Sequence, residues 1–172
     1  MNELLAKYSA EIQQILAKYP ADRKQAAVMP LLYLAQREHG YVTKQSVQEI
    51  SEITGLSVTD VDSVIGFYTL YHGHPGGRYR LQVCTDLPCA LRGAKEFYDA
   101  LCKNMGIKVG ETTPDGLFEI EEVTCLAGCN NAPLMQIQGD GDLVYHENLT
   151  PASAMQVVEE LRRKAAAEEG TK

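Results

Sequence analysis

The apolar positions of the chain follow two different periods. From Leu4 onward, Leu4, Leu5, Tyr8, Ile12, Ile15, Leu16 and Tyr19 recur three and four apart, which lines one face of a helix until Pro20 ends the run. Asp22 followed by Gln25 resembles a capping box for a second helix, with Val28, Leu31, Leu32, Leu34 and Ala35 inside and Gly40 at its end. Pro30 implies a kink or a late start there. Thr43 caps a third helix through Val47, Ile50 and Ile53 to Gly55, and Ser57 with Asp60 caps a fourth carrying Val61, Val64, Ile65 and Tyr68. These stripes predict a helical bundle over residues 1–75.

The run Gly73-His74-Pro75-Gly76-Gly77 gathers helix breakers where the period changes, and marks a boundary between two units. Tyr79, Leu81 and Val83 then alternate as a strand; Leu91, Ala94, Phe97, Tyr98 and Leu101 repeat as a helix; Phe118, Ile120 and Val123 form the next strand, which completes a βαβ unit. Leu134, Met135 and Ile137 make a further strand, Gly139-Asp140-Gly141-Asp142 a hairpin turn, and Leu143 to Tyr145 its partner. Thr150 caps a last helix with Pro151 in its first turn and Ala154, Val157, Val158 and Leu161 as its inner stripe, while Lys164 onward reads as a charged, fraying tail. The order β-α-β-β-β-α is compatible with a thioredoxin-like sheet. The expected fold class is α+β: a bundle over 1–75, a thioredoxin-like α/β domain over 76–166 and a tail over 167–172.

A chain of 172 residues, 45% hydrophobic, supplies one large core or two small ones. Its longest nearly apolar run, Ala26 to Ala35, is interrupted by Pro30 and falls far short of the roughly 20 residues of a membrane span, so no direct membrane insertion is expected. The first twenty residues lack a basic stretch followed by an apolar block, and the chain therefore reads as cytosolic. A net charge of −7 argues against a phosphate backbone as partner. Ser51, Gly55 and Val61 do fall at helix-turn-helix positions, but the would-be recognition helix carries Asp60 and Asp62 and no Lys or Arg. No nucleic acid is expected.

Five cysteines, an odd number in a chain that reads as intracellular, favour metal or redox chemistry over disulfides. Cys84 and Cys89, spaced C-x4-C, sit where the first strand turns into a helix; Cys125 and Cys129, spaced C-x3-C, follow the neighbouring parallel strand. A right-handed crossover brings both pairs to one edge of the sheet. Four such thiolates hold either a tetrahedral zinc ion or a 2Fe-2S cluster. Structural zinc sites favour tight C-x2-C knuckles, so these longer intervals fit the wider, two-iron cofactor; a zinc-stabilised interaction module is the alternative. Main-chain N–H groups from Ala90 to Gly93, together with Arg92, are expected to offset the negative charge of a cluster, and Gly128 to let the second loop approach closely. Cys102, next to Leu101 and without a spaced companion, reads as core. His39, His72, His74 and His146 have no partner at ligand spacing, no C-x-x-C dithiol motif is present, and no residue reads as catalytic.

Several runs taken together resemble a known family. They are Gly66-Phe67-Tyr68 ahead of Pro75-Gly76, Val83-Cys84-x4-Cys89, Gly93, Gly110-Glu111-x2-Thr113-Pro114-Asp115-Gly116, and Glu122-Val123-x-Cys125-Leu126-x2-Cys129 followed by Ala132-Pro133. The likeness, from about Ile12 to Leu161, is to the E-type component of NADH:quinone oxidoreductase, respiratory complex I, a family of thioredoxin-like 2Fe-2S ferredoxins. One departure is local: family members commonly read Leu-Gly-Ala-Cys where this chain has Leu126-Ala127-Gly128-Cys129, which bears on the turn geometry.

The resemblance implies one 2Fe-2S cluster on Cys84, Cys89, Cys125 and Cys129, lying near the flavin of a neighbouring subunit as an off-path or auxiliary acceptor. No G-x-G-x-x-G follows a strand here, so NADH and FMN are expected on that partner. It further implies an oxidoreductase subunit that is not catalytic alone, partnered by the FMN/NADH-binding subunit and a larger iron-sulfur subunit, cytoplasmic and peripheral to the inner membrane. The same modules accompany flavin subunits in NAD-linked hydrogenases and formate dehydrogenases, which are the alternative assemblies.

Overall fold

In the computed structural model, which describes residues 2–108 and 110–169, the chain divides into two units, Met1–Pro75 and Gly76–Lys172. The first is helical. Helix α1, Glu3–Leu16, is opened by Asn2, whose side chain accepts the Leu5 N–H at 2.8 Å, and it is kinked at Tyr8. A single 3-10 turn, Lys24–Ala27, leads into α2, Val28–His39. The capping box expected at Asp22 and Gln25 does not form, because that turn has no side-chain cap and the helix starts late. Pro30 then falls in the first turn of α2, where its missing N–H costs no helical bond. Helices α3, Lys44–Thr54, and α4, Val58–Phe67, begin as the sequence expects, at Thr43 and at a Ser57/Asp60 capping box.

Ile12, Leu31, Leu32, Ile50 and Val61 meet in a fully buried core, so the stripes do converge. Polar contacts fix the helix pairs around it. The Glu38 carboxylate takes both Lys7 Nζ and Tyr8 Oη, and Arg37 forks onto Glu11 at 2.8 and 3.1 Å. Buried Glu49 reaches from α3 to the start of α1, where it accepts the Glu3 and Leu4 N–H groups at 2.8 and 2.9 Å. Those are orphan donors of a helix N-terminus, which a carboxylate satisfies with favourable charge.

The second unit is a four-stranded sheet in the order β2-β1-β3-β4. Strand β1, Tyr79–Cys84, lies centrally; β2, Phe118–Val123, runs parallel to it, whereas β3, Met135–Gly139, and β4, Asp142–His146, continue antiparallel. Tyr79, Leu81, Val83, Phe118, Ile120, Met135 and Ile137 point to one face, where α6, Ala94–Met105, and α7, Pro151–Glu169, cover them with Phe97, Tyr98, Leu101, Ala154 and Val158. The opposite face buries Arg80, Gln82, Glu119 and Gln136.

Two expectations are revised here. Leu91 does not belong to the helical stripe: it is 81% exposed, because a four-residue helix α5, Leu87–Ala90, ends before it and Gly93, at φ 85°, restarts the chain as α6. The end of the last helix is not frayed from Lys164. It runs to Glu169, with Ala165 buried in the core, Lys164 Nζ 3.1 Å from Asp140, and Arg78 paired with Glu168. Charged residues hold the last turns because their partners sit on the hairpin and at the start of β1. No described helix is long and apolar enough to cross a membrane.

Candidate metal centre

Two loops leave the same end of the parallel pair β1 and β2, as a crossover connection dictates. The first begins with Cys84, the last residue of β1, fully buried. Asp86 then caps α5 by accepting the Leu87 N–H at 2.9 Å, and Pro88 occupies the first turn. This turn carries Cys89 back beneath the strand end, also fully buried. The second loop is tied to the first at its root, where the Thr85 N–H donates to the Val123 carbonyl and Thr85 Oγ1 to Glu122. It runs through Cys125 at φ 56° and Ala127 at φ 58°, and enters a 3-10 turn, Cys129–Asn131, before a cis Ala132-Pro133 bond.

The loops meet around sulfur. Cys84 and Cys89 pack with Ala94, Ala132 and Leu134 in a small core of their own, against which Leu126 and Cys129 rest. Burial pushes the Cys84 thiol up, but the main-chain N–H groups of Asp86 and Leu126, the Cys89 thiol and the N–H of Cys125 outweigh it and hold the group below its ordinary range. Burial and the Cys84 and Cys129 sulfurs push Cys89 up to about 12. The main-chain donors at Cys84 favour the thiolate form that metals require. Cys125 has an exposed side chain while its N–H faces Cys84. Cys102 lies elsewhere, half-buried against the α6 and α7 core.

The charge compensation differs from the sequence expectation. The N–H groups of Ala90, Leu91, Arg92 and Gly93 are spent on the carbonyls of Asp86, Leu87, Cys89 and Ala90. Three donors from Asp86, Cys125 and Leu126 face Cys84 instead. No residue type announces a main-chain donor, so these three were invisible in the sequence. Arg92 contributes by bridging the loops, its Nε donating to the Ala132 carbonyl at 3.2 Å. Gly128 does allow close approach, since a Cβ there would lie 2.6 Å from Leu134 Cδ1.

The donor set fits an iron-sulfur cluster. Four cysteines from two loops are its usual protein ligands, and N–H groups aimed at sulfur stabilise its negative charge. A single tetrahedral zinc ion draws its sulfurs to about 3.8 Å from one another. Among the described residues no three cysteine sulfurs lie mutually within 4.8 Å.

Residues 12–162 match the sequence profile of the thioredoxin-like [2Fe-2S] ferredoxins. This chain belongs to that family. Among its relatives, NADH-quinone oxidoreductase subunit 2 of Thermus thermophilus is 40% identical over 92% of this chain and 86% of its own length. The mitochondrial NADH dehydrogenase [ubiquinone] flavoprotein 2 of Dictyostelium discoideum is 39% identical over 88% of this chain, which spans 60% of that protein. In fold, the chain is similar to a solved NAD+-reducing [NiFe]-hydrogenase, with a TM-score of 0.62 at 19% identity over 78% of this chain and 23% of that one. The family's α+β architecture, a thioredoxin-like sheet, is the one described above.

Proposed function

We propose that Cys84, Cys89, Cys125 and Cys129 hold one 2Fe-2S cluster, and that the chain is the electron-transfer subunit of an NADH:quinone oxidoreductase, accepting single electrons from the FMN of a partner subunit that oxidises NADH. The observation that carries this reading is the meeting of two cysteine loops at one sheet end, with three main-chain donors on Cys84, in a chain 40% identical to a component of such an oxidoreductase. The cluster, when bound, takes up and returns one electron at a time. The protein's own part is electrostatic and mechanical: buried Cys84 and Cys89 exclude water, the N–H groups of Asp86, Leu126 and Cys125 oppose negative charge, and Arg92 ties the loops together. NADH and FMN belong to the partner, a larger iron-sulfur subunit completes the contacts, and the chain reaches the membrane only through that assembly.

Iron and sulfide analysis of single variants tests the ligand set. Cys84→Ala, Cys89→Ala, Cys125→Ala and Cys129→Ala lose the cluster and its brown colour, whereas Cys102→Ala retains both. Bleaching by Cys102→Ala with Cys129→Ala intact, or a colourless zinc protein, overturns it. The purified chain alone does not oxidise NADH. A co-purifying quinone module supports complex I, and a hydrogenase or formate dehydrogenase in its place refutes it.

A further inference from the structure

The sheet face turned away from α6 and α7 carries a buried polar ladder. Side chains alternate along β1, so Arg80, Gln82 and Cys84 share this face while Tyr79, Leu81 and Val83 fill the core. Arg80 is 3% exposed, Gln82 2%, Glu119 1% and Gln136 4%, while Glu121 at the rim keeps a side chain 21% exposed. The parallel register sets Arg80 opposite Glu119 and Gln82 opposite Glu121; the antiparallel register sets Gln136 on the other side of Gln82. Arg80 Nη1 lies 2.8 Å from Glu119 Oε2 and 3.0 Å from Glu121 Oε1. Gln82 Nε2 donates to Glu121 Oε2 at 3.0 Å, and Gln136 Nε2 donates to Gln82 Oε1 at 2.7 Å. The ladder therefore runs unbroken across β2, β1 and β3, with Gln82 two residues, about 7 Å, and Arg80 four residues, about 13 Å, from Cys84 on the same face.

Stability gives little reason for this arrangement. Burying charges costs desolvation that their mutual attraction offsets only in part, and apolar residues of similar volume serve a sheet face at least as well. What such charges do provide is a field that water screens less than at the open surface, so that it acts over several to about 13 Å.

We propose that the ladder is a positioning element for the centre at Cys84, in which Arg80 and Glu121 set how readily that centre accepts an electron. Arg80, partly offset by Glu119 at 2.8 Å, favours the added negative charge and Glu121 opposes it, while Gln82 and Gln136 lock the Glu121 carboxylate to β1 and β3. The proposal rests on Cys84 being a cluster ligand. It extends beyond the two cysteine loops to residues on β1, β2 and β3.

The test is a redox titration of the full-length protein as isolated, followed by visible absorbance and electron paramagnetic resonance at the poise that leaves the wild type half reduced. Glu121→Gln raises the ratio of reduced to oxidised centre at least twofold, and Arg80→Gln lowers it at least twofold. Glu121→Asp and Arg80→Lys, which keep the charges, stay within twofold of wild type. Opposite signs from adjacent residues distinguish a field from loosening, which moves both variants the same way. If Arg80→Gln does not fold, the contrast between Glu121→Gln and Glu121→Asp decides alone. Shifts of one sign, or ratios unchanged in both neutral variants while the wild type titrates, overturn the ladder's role and leave the ligand set standing. A wild type with no reducible centre overturns both.

Discussion

Exchanging the two small residues of the second cysteine loop probes its geometry directly. The loop places Ala127 at φ 58° and Gly128 against Leu134. An alanine in the left-handed region costs about 1–2 kcal/mol. Glycine relieves that strain but returns about 0.4–1 kcal/mol of freedom to the unfolded chain. Ala127→Gly is therefore expected to stabilise by about 0.5–1 kcal/mol. Gly128→Ala acts in the opposite sense: its Cβ would come within 2.6 Å of Leu134 Cδ1, and Leu134 is fully buried beside Cys84 and Cys89, so overpacking costs about 1–3 kcal/mol. Anaerobic urea unfolding, read by far-UV ellipticity and visible absorbance together, measures both. With a slope of about 2 kcal/mol/M, the midpoint of Ala127→Gly rises by about 0.3–0.5 M and that of Gly128→Ala falls by about 0.5–1.5 M. A lowered midpoint for Ala127→Gly would refute the left-handed assignment, and an unchanged one for Gly128→Ala would refute the contact with Leu134.

Other consequences concern the supports of each unit. Glu49→Ala leaves the Glu3 and Leu4 N–H groups without their carboxylate and costs about 2–3 kcal/mol; hydrogen exchange of the first turn of α1 accelerates, and unchanged protection there contradicts the capping role. Burial alone would raise the Asp140 carboxyl, but hydrogen bonds from Arg78, Tyr79 and Lys164 bring it down to about 2. Because its folded value lies below the unfolded one, its stabilisation is present above the unfolded carboxyl range and is lost as pH falls toward about 2, and solvent screening of this exposed residue keeps it small. Asp140→Asn flattens that part of an acid-unfolding curve, and a curve of unchanged shape disproves the coupling.

What the sequence determined by itself is periodicity and punctuation. Apolar stripes place α1 to α4, alternation places β1 to β4, and Thr43, Ser57 and Thr150 mark helix starts, because local backbone preference and the burial of one face act over a few residues. The cysteine spacings and their flanking motifs likewise sit in local runs, and they carried the family resemblance. Only tertiary structure decided which groups those loops present to each other. The donors on Cys84 are main-chain N–H groups of Asp86, Cys125 and Leu126, and their direction depends on a capped four-residue turn and on left-handed residues. Ala90 to Gly93, the expected donors, are consumed within their own turn. The persistence of α7 through Glu169 depends on Arg78 and Asp140, far away in sequence. The ladder beneath Cys84 needs strand register, which sets side chains from three separate segments on one face. Local pattern names the elements; partners distant along the chain fix what each side chain meets.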